Sequence, residues 1–155
     1  MGIKANFNMD DIRKRVYAQR DKFIEASMEA FKLACIKMVD RAKQTNTYMD
    51  QTHALRSSIG CVLYHKGVEV FNYFKAEDGE GSTEGVEKGL ALARKIAEEA
   101  GNKLIVAVVV AGMDYAVYVE AKGRDVLTGS THQFADDLKD EFENVKYAFY
   151  EHLIG

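Results

Sequence analysis

The sequence predicts an α+β fold: a long N-terminal helix, a small, largely antiparallel sheet of three to four strands and two further helices, in the order α-β-β-α-β-(β)-α. Three observations carry this. Apolar residues follow a helical period over residues 9–44, two short β-rich runs flank the turn His65-Lys66-Gly67, and a continuous apolar run at 104–111 lies between two further helical patterns. At 155 residues the chain fits one domain, 1–155, with a real hydrophobic core.

The first helix spans 9–44. Ile12, Val16, Phe23, Ala26, Ala30, Ala34, Met38 and Ala42 fall on one stripe, widened by Phe31, Cys35 and Val39. Asn8 reads as the N-cap. Asp10 and Asp11 then occupy the first turn, and Arg41 and Lys43 the last, each with the sign that the helix dipole favours. Some 35 residues make a rod of roughly 50 Å, which exceeds the roughly 30 Å breadth of a small domain. Part of the rod must project beyond its own core or be covered by a neighbour, and this is the best indication of oligomerisation in the residues themselves.

Residues 45–54 are polar and read as a loop. Strands follow at 57–64 and 67–74, with Gly67 supplying a positive φ in the turn. Ile59, Cys61 and Leu63 share one face of the first strand, and Val68, Val70 and Phe74 one face of the second. The stretch 75–85 carries Glu77, Asp78, Glu80 and Glu84 among Gly79, Gly81 and Gly85, and reads as a mobile acidic loop. No Gly-Lys-Ser/Thr follows it, its carboxylates would repel phosphate, and the ligand spacing of a calcium loop is absent.

A second helix is expected over 83–100. Val86, Leu90, Ala93 and Ala97 lie inside, Leu92 and Ile96 alongside, and Gly101-Asn102 forms the stop. Residues 104–111, apolar on both faces, read as the central buried strand. For 115–121 two readings stand: a strand returning from a turn at Gly112-Met113-Asp114, by alternation, or a short helical turn. In the last helix Ser130 and Gln133 form a capping box. Phe134, Leu138, Phe142, Val145, Phe149 and Leu153 line one stripe, while Asp136, Asp137, Asp140, Glu141 and Glu143 cover the early outer surface.

Composition narrows the function classes. The longest apolar run, 104–112, falls short of the about 20 residues that span a bilayer. Residues 1–6 lack the apolar core of a secretion signal and the Ser or Thr of a myristoylation site, so a cytoplasmic origin is expected. Net charge is −3, but residues 1–44 carry +4 and the rest −7. A duplex-binding domain is normally basic overall, so nucleic acid is not the expected partner. The polarity suits head-to-tail contact between like subunits, although solvated surface explains it as well.

No constellation argues for catalysis. His53, His65, His132 and His152 form no zinc motif, and Cys35 and Cys61, 26 positions apart, read as small buried hydrophobes. A nucleophile pair of Cys61 and His65, oriented by Asp50 or Glu120, would require contact between strand positions about 13 Å apart. Glu120 follows an apolar stretch, so partial burial and a raised pKa are expected, with Lys122 or Arg124 as its partner. Neither a dinucleotide fingerprint nor a Gly-x-Ser-x-Gly elbow occurs. No cofactor and no metal site are expected. The eight tyrosines lack the basic neighbours of a base-stacking surface, so they read as core-edge rings and interface anchors.

Thr52-His53-Ala54-Leu55-Arg56-Ser57-Ser58 resembles the Thr-Gly-x-Leu-Arg-x-Ser segment of the phage tail-component family, the tail-completion or head–tail joining proteins of long-tailed phages and prophages. In that family the segment links a long helix ending in an Ala-Lys pair, here Ala42-Lys43, to the first strand. His53 stands where the family usually has glycine. Tyr115-Ala116-Val117-Tyr118-Val119-Glu120 is similar to the family's Tyr-Ala-x-Tyr/Phe-Val-Glu segment. The resemblance implies a non-enzymatic virion assembly protein that forms a homo-oligomeric ring with head–tail or tail proteins as partners, first in the host cytoplasm and then in the virion. Leu55, Arg56, Ser57, Ser58, Tyr115, Tyr118 and Glu120 become its motif or interface residues. Leu55 would lock the loop to the core, Arg56 would meet a carboxylate across a subunit boundary, and the serines would bond local backbone. The other classes to be weighed are a small enzyme or metal-binding protein using Cys61, His65 and Glu120, and a nucleic-acid module using the basic first helix.

Overall fold

The computed structural model describes residues 8–45 and 48–154. The stretch read for a secretion signal, 1–6, and the side chains of His152 and Leu153 lie outside the described residues. Eight elements follow in order: α1 (Met9–Gln44), α2 (Ala54–Ser57), β1 (Ile59–His65), β2 (Val68–Phe74), α3 (Ser82–Ala100), β3 (Ile105–Ala111), α4 (Ala116–Ala121) and α5 (Thr128–Ile154). The fold is α+β, with α1 and α3 on opposite faces of a three-stranded antiparallel sheet.

The first helix begins where its cap predicts: the Asn8 carboxamide oxygen accepts the Asp10 N–H at 3.0 Å. Its 36 residues give a rod of about 54 Å. Apolar residues of its second half, Cys35, Val39 and Ala42, pack on Ile59 and Cys61 of β1. α5 runs antiparallel beside it. Phe23 meets Phe149 and Phe31 meets Phe142 edge to face, both with ring centroids 5.6 Å apart. Nearer the sheet, Lys37 binds Glu141 at 2.6 Å and Arg41 binds Asp137.

The sheet order is β2-β1-β3, so β1 takes the centre and β3 an edge. This corrects the expectation for 104–111. That segment is apolar throughout because helices cover both faces of the sheet, which says nothing about whether strands flank both of its edges. In the hairpin His65 pairs with Val68 across Lys66-Gly67, both of which have positive φ, as a two-residue turn of the I′ kind requires. Farther along, Leu63 pairs with Phe71 and Tyr64 with Glu69, leaving Val70 as an extra residue. The bulge breaks the alternation expected of Val68, Val70 and Phe74. Phe74 packs against the α3 layer, while Val68 and Val70 are exposed.

Across the other face, α3 lays Gly85, Gly89, Ala93 and Ala97 inward, with Leu92 and Ile96 exposed. Small residues let the helix approach the backbone: a Cβ on Gly89 would stand 2.4 Å from Ser58 O. Residues 116–121 form a helix, which removes the optional fourth strand. α5 starts two residues before Ser130, so the expected Ser130–Gln133 box is not its cap.

Candidate functional site

Segments 52–58 and 115–120 are far apart in sequence, yet they meet. Ala42, Ala54, Leu55 and Ala116 belong to one buried cluster, joined by Val119 from its edge. The first segment folds as a tight turn into α2. Asp50 Oδ2 accepts the Arg56 N–H at 2.8 Å, and His53 takes φ +58 to redirect the chain. The position held by His53 is therefore left-handed, which is the backbone state glycine adopts without strain.

Ser57 and Ser58 are completely buried and act through their hydroxyls. Ser57 Oγ accepts the Glu77 N–H at 2.9 Å. Ser58 Oγ donates to Leu55 O at 2.7 Å and accepts the N–H groups of Gly112 and Met113 at 3.1 and 3.3 Å, bridging α2 to the β3–α4 turn. Leu55, 1% exposed, fills the core beneath. These three residues organise the fold from inside.

The Arg56 guanidinium lies 5.7 Å from the Tyr48 ring centroid and donates to Thr45 O at 3.4 Å. Its side chain is thus engaged by residues of the same chain. Lys43 performs a related task at the end of α1, donating to Lys75 O at 2.7 Å with Glu77 at 3.5 Å. Burial pulls the Lys43 ammonium below its ordinary pKa, against the opposing pull of Glu77. With Gly81 N–H on Thr52 O at 2.9 Å, the acidic segment expected to be mobile is pinned to the turn at several points. Backbone amides that need partners find them in the serine hydroxyl and carbonyls of α2's approach.

In the second segment Ala116 points inward, while Tyr115, Val117 and Tyr118 are 40, 77 and 73% exposed. Glu120 departs from expectation. Burial pushes its pKa up, but hydrogen bonds from Thr128 and the neighbouring backbone outweigh this and hold it below the ordinary value. Its carboxylate accepts the Thr128 N–H at 2.9 Å, the Thr128 hydroxyl and the Leu127 N–H at 3.4 Å. Glu120 therefore caps α5 in place of pairing with Lys122 or Arg124. Asp125 assists by accepting the Gly129 N–H at 2.8 Å. These groups and His132 line a cavity of about 360 Å³, whose carboxylates already occupy the amide positions an anion would need.

The enzyme-like grouping is not assembled. Cys61 faces Cys35 in the core, where the bond to Cys35 and then burial push the Cys61 thiol up. His65 closes β1 at the hairpin, and Glu120 is engaged at α5. Among the described residues no group of three His, Cys, Asp or Glu can hold a metal, and no helix is long and apolar enough to cross a membrane. Residues 116–121 take the helical of their two readings, and there Val117, not among the expected site residues, faces outward beside Tyr118. Compared with protein-family models, curated proteins and solved structures, the chain matches none.

Proposed function

We propose that this chain is a non-enzymatic assembly protein of a phage or prophage virion, serving tail completion or head–tail joining by ring-forming contacts between copies. Its partners are head–tail or tail proteins, met in the host cytoplasm and retained in the virion. The observation that carries the reading is the exposure of two unlike apolar surfaces. One is the leading half of α1, where Met9, Ile12, Val16 and Phe23 are 40–59% exposed; the other is Val117-Tyr118 on α4. A protein that joins a ring of its own copies to other virion parts needs more than one such surface, so that copies and head or tail proteins can be met at once. The resemblance of the two motif segments supports the same class. So does the charge polarity, +4 over residues 1–44 against −7 over the rest.

Deleting the gene from the phage or prophage genome that encodes it, then imaging the lysate by electron microscopy, tests the proposal. Unjoined heads and tails are expected, restored to virions by the wild-type gene but not by a copy carrying Val117→Asp and Tyr118→Asp. Normal virions from the deletion would overturn it.

A further inference from the structure

The exposed half of α1 has a more specific pattern than an apolar patch. Met9, Ile12, Val16, Gln19, Phe23, Ala26 and Ala30 recur in strict alternating steps of three and four, the spacing of a coiled-coil seam. α5 first meets this seam at Phe23, whose ring touches Phe149 yet stays 49% exposed, and by Ala30 the seam is buried. Before Phe23, nothing among the described residues covers Met9, Ile12 or Val16, at 54, 40 and 59% exposure. A cleft of about 700 Å³ lies between α1 and α5 along residues 19–29, lined by Gln19, Lys22, Glu25, Ala26, Glu29 and Phe149.

The flanks of the open seam have one sign. The positions beside the seam are Arg13 and Arg20 on one side and Arg15 and Lys22 on the other. Arg13 and Arg20 make local pairs with Asp10 and Asp21, but all four side chains are more than half exposed, where such pairs hold weakly. Two copies of this seam would set like charges against each other. The acidic helix of the chain itself, α5, already gives its apolar stripe to α1.

We infer that residues 9–23 dock an amphipathic helix of a partner protein, with an apolar seam and Asp or Glu on both flanks, laid along α1 beyond α5. Gln19, the one polar seam position, fixes the register of that pairing. This rests on the reading that the chain works through protein contacts, and it names the chemistry of one partner.

The probe is a synthetic helical peptide of about three heptads with Leu and Ile in the seam and Glu on both flanks, compared by fluorescence anisotropy with a Lys-flanked twin. The full chain should bind the Glu peptide at least about ten-fold more tightly than the Lys peptide, with the difference shrinking as salt rises. The quadruple variant R13E/R15E/R20E/K22E should reverse the preference, and Val16→Asp should abolish binding of both. These side chains are exposed, and circular dichroism of the variants should match wild type. Equal binding of the two peptides, or Glu-peptide binding that survives Val16→Asp, would overturn the inference. So would self-association lost in Val16→Asp, which would make a second copy the occupant, or tighter binding to duplex DNA unaffected by Val16→Asp. Peptide binding is read without virions, so joined virions from the gene deletion would refute the assembly role while leaving the docking result standing, and the reverse holds equally.

Discussion

Gly112 and Gly89 touch backbone to backbone: a Cβ on Gly112 would lie 2.3 Å from the Gly89 Cα and 2.5 Å from its nitrogen. The end of β3 and the middle of α3 are in contact with no side chain between them. Gly112→Ala should therefore destabilise the fold by about 2–4 kcal/mol, because neither backbone can retreat without breaking the Ser58–Gly112 bond. Thermal denaturation checks this, with a fall in midpoint of about 5–15 °C expected. An unchanged midpoint would show that α3 rides farther from the sheet.

The parts of this architecture that a sequence declares are those with a local cause. α1 was legible from Asn8 to Gln44 because period, cap and terminal charges agree, and the hairpin because Lys66-Gly67 dictates its own turn. The place of β3 at the sheet edge was not legible, since an apolar strand under two helical layers looks the same at an edge as at a centre. The Val70 bulge has no local signature. The capping of α5 by Glu120 joins residues eight apart through a turn that only the fold creates. Leu55, Ser57 and Ser58 are buried, as a core-locking leucine and backbone-bonding serines require, whereas Tyr115 and Tyr118 are exposed. The basic flanks of the α1 seam lay in plain view at fixed spacing. They gain meaning only once the described structure leaves that stretch uncovered.

His53 holds φ +58, a state in which its Cβ is crowded by the backbone. His53→Gly relieves that strain, offset in part by the greater freedom glycine gives the unfolded chain. A net gain of about 0.5–1 kcal/mol is expected, seen as a higher urea midpoint at constant m-value. A loss would mean that the imidazole makes contacts worth more than the strain.

Cys35 and Cys61 are free thiols, each 1% exposed, packed in one core cluster between α1 and β1. The contact between them pushes the Cys61 thiol up and pulls Cys35 down, but burial shields both sulfurs, so iodoacetamide at mildly alkaline pH should modify neither residue in the native state. Labelling should appear only as denaturant unfolds the chain, following the circular dichroism transition. Prompt labelling of Cys61 would show that α1 separates from the sheet in the folded protein, and would reopen a reactive role for that thiol.

Glu69 receives the Arg94 guanidinium at 2.8 and 3.1 Å, the Asn72 amide at 3.0 Å and the Tyr64 hydroxyl at 3.0 Å. The Arg94 bond foremost, opposed by burial and aided by Asn72 and Tyr64, holds its pKa at about 2 against an ordinary 4.5. A depressed carboxylate stabilises the fold above its unfolded pKa, and that contribution is lost as pH falls through the folded value. Stability measured by denaturation at falling pH should therefore drop between pH 4.5 and about 2, by on the order of 1 kcal/mol from this group, because solvent screens a pair whose arginine is half exposed. Glu69→Gln should lower stability at neutral pH and remove that portion of the acid slope. Arg94→Ala should weaken the fold at pH 7 and be nearly silent near pH 2, where the carboxyl it binds is becoming protonated. Equal effects of Arg94→Ala at both pH values would mean that it acts by packing along α3 and not by its charge.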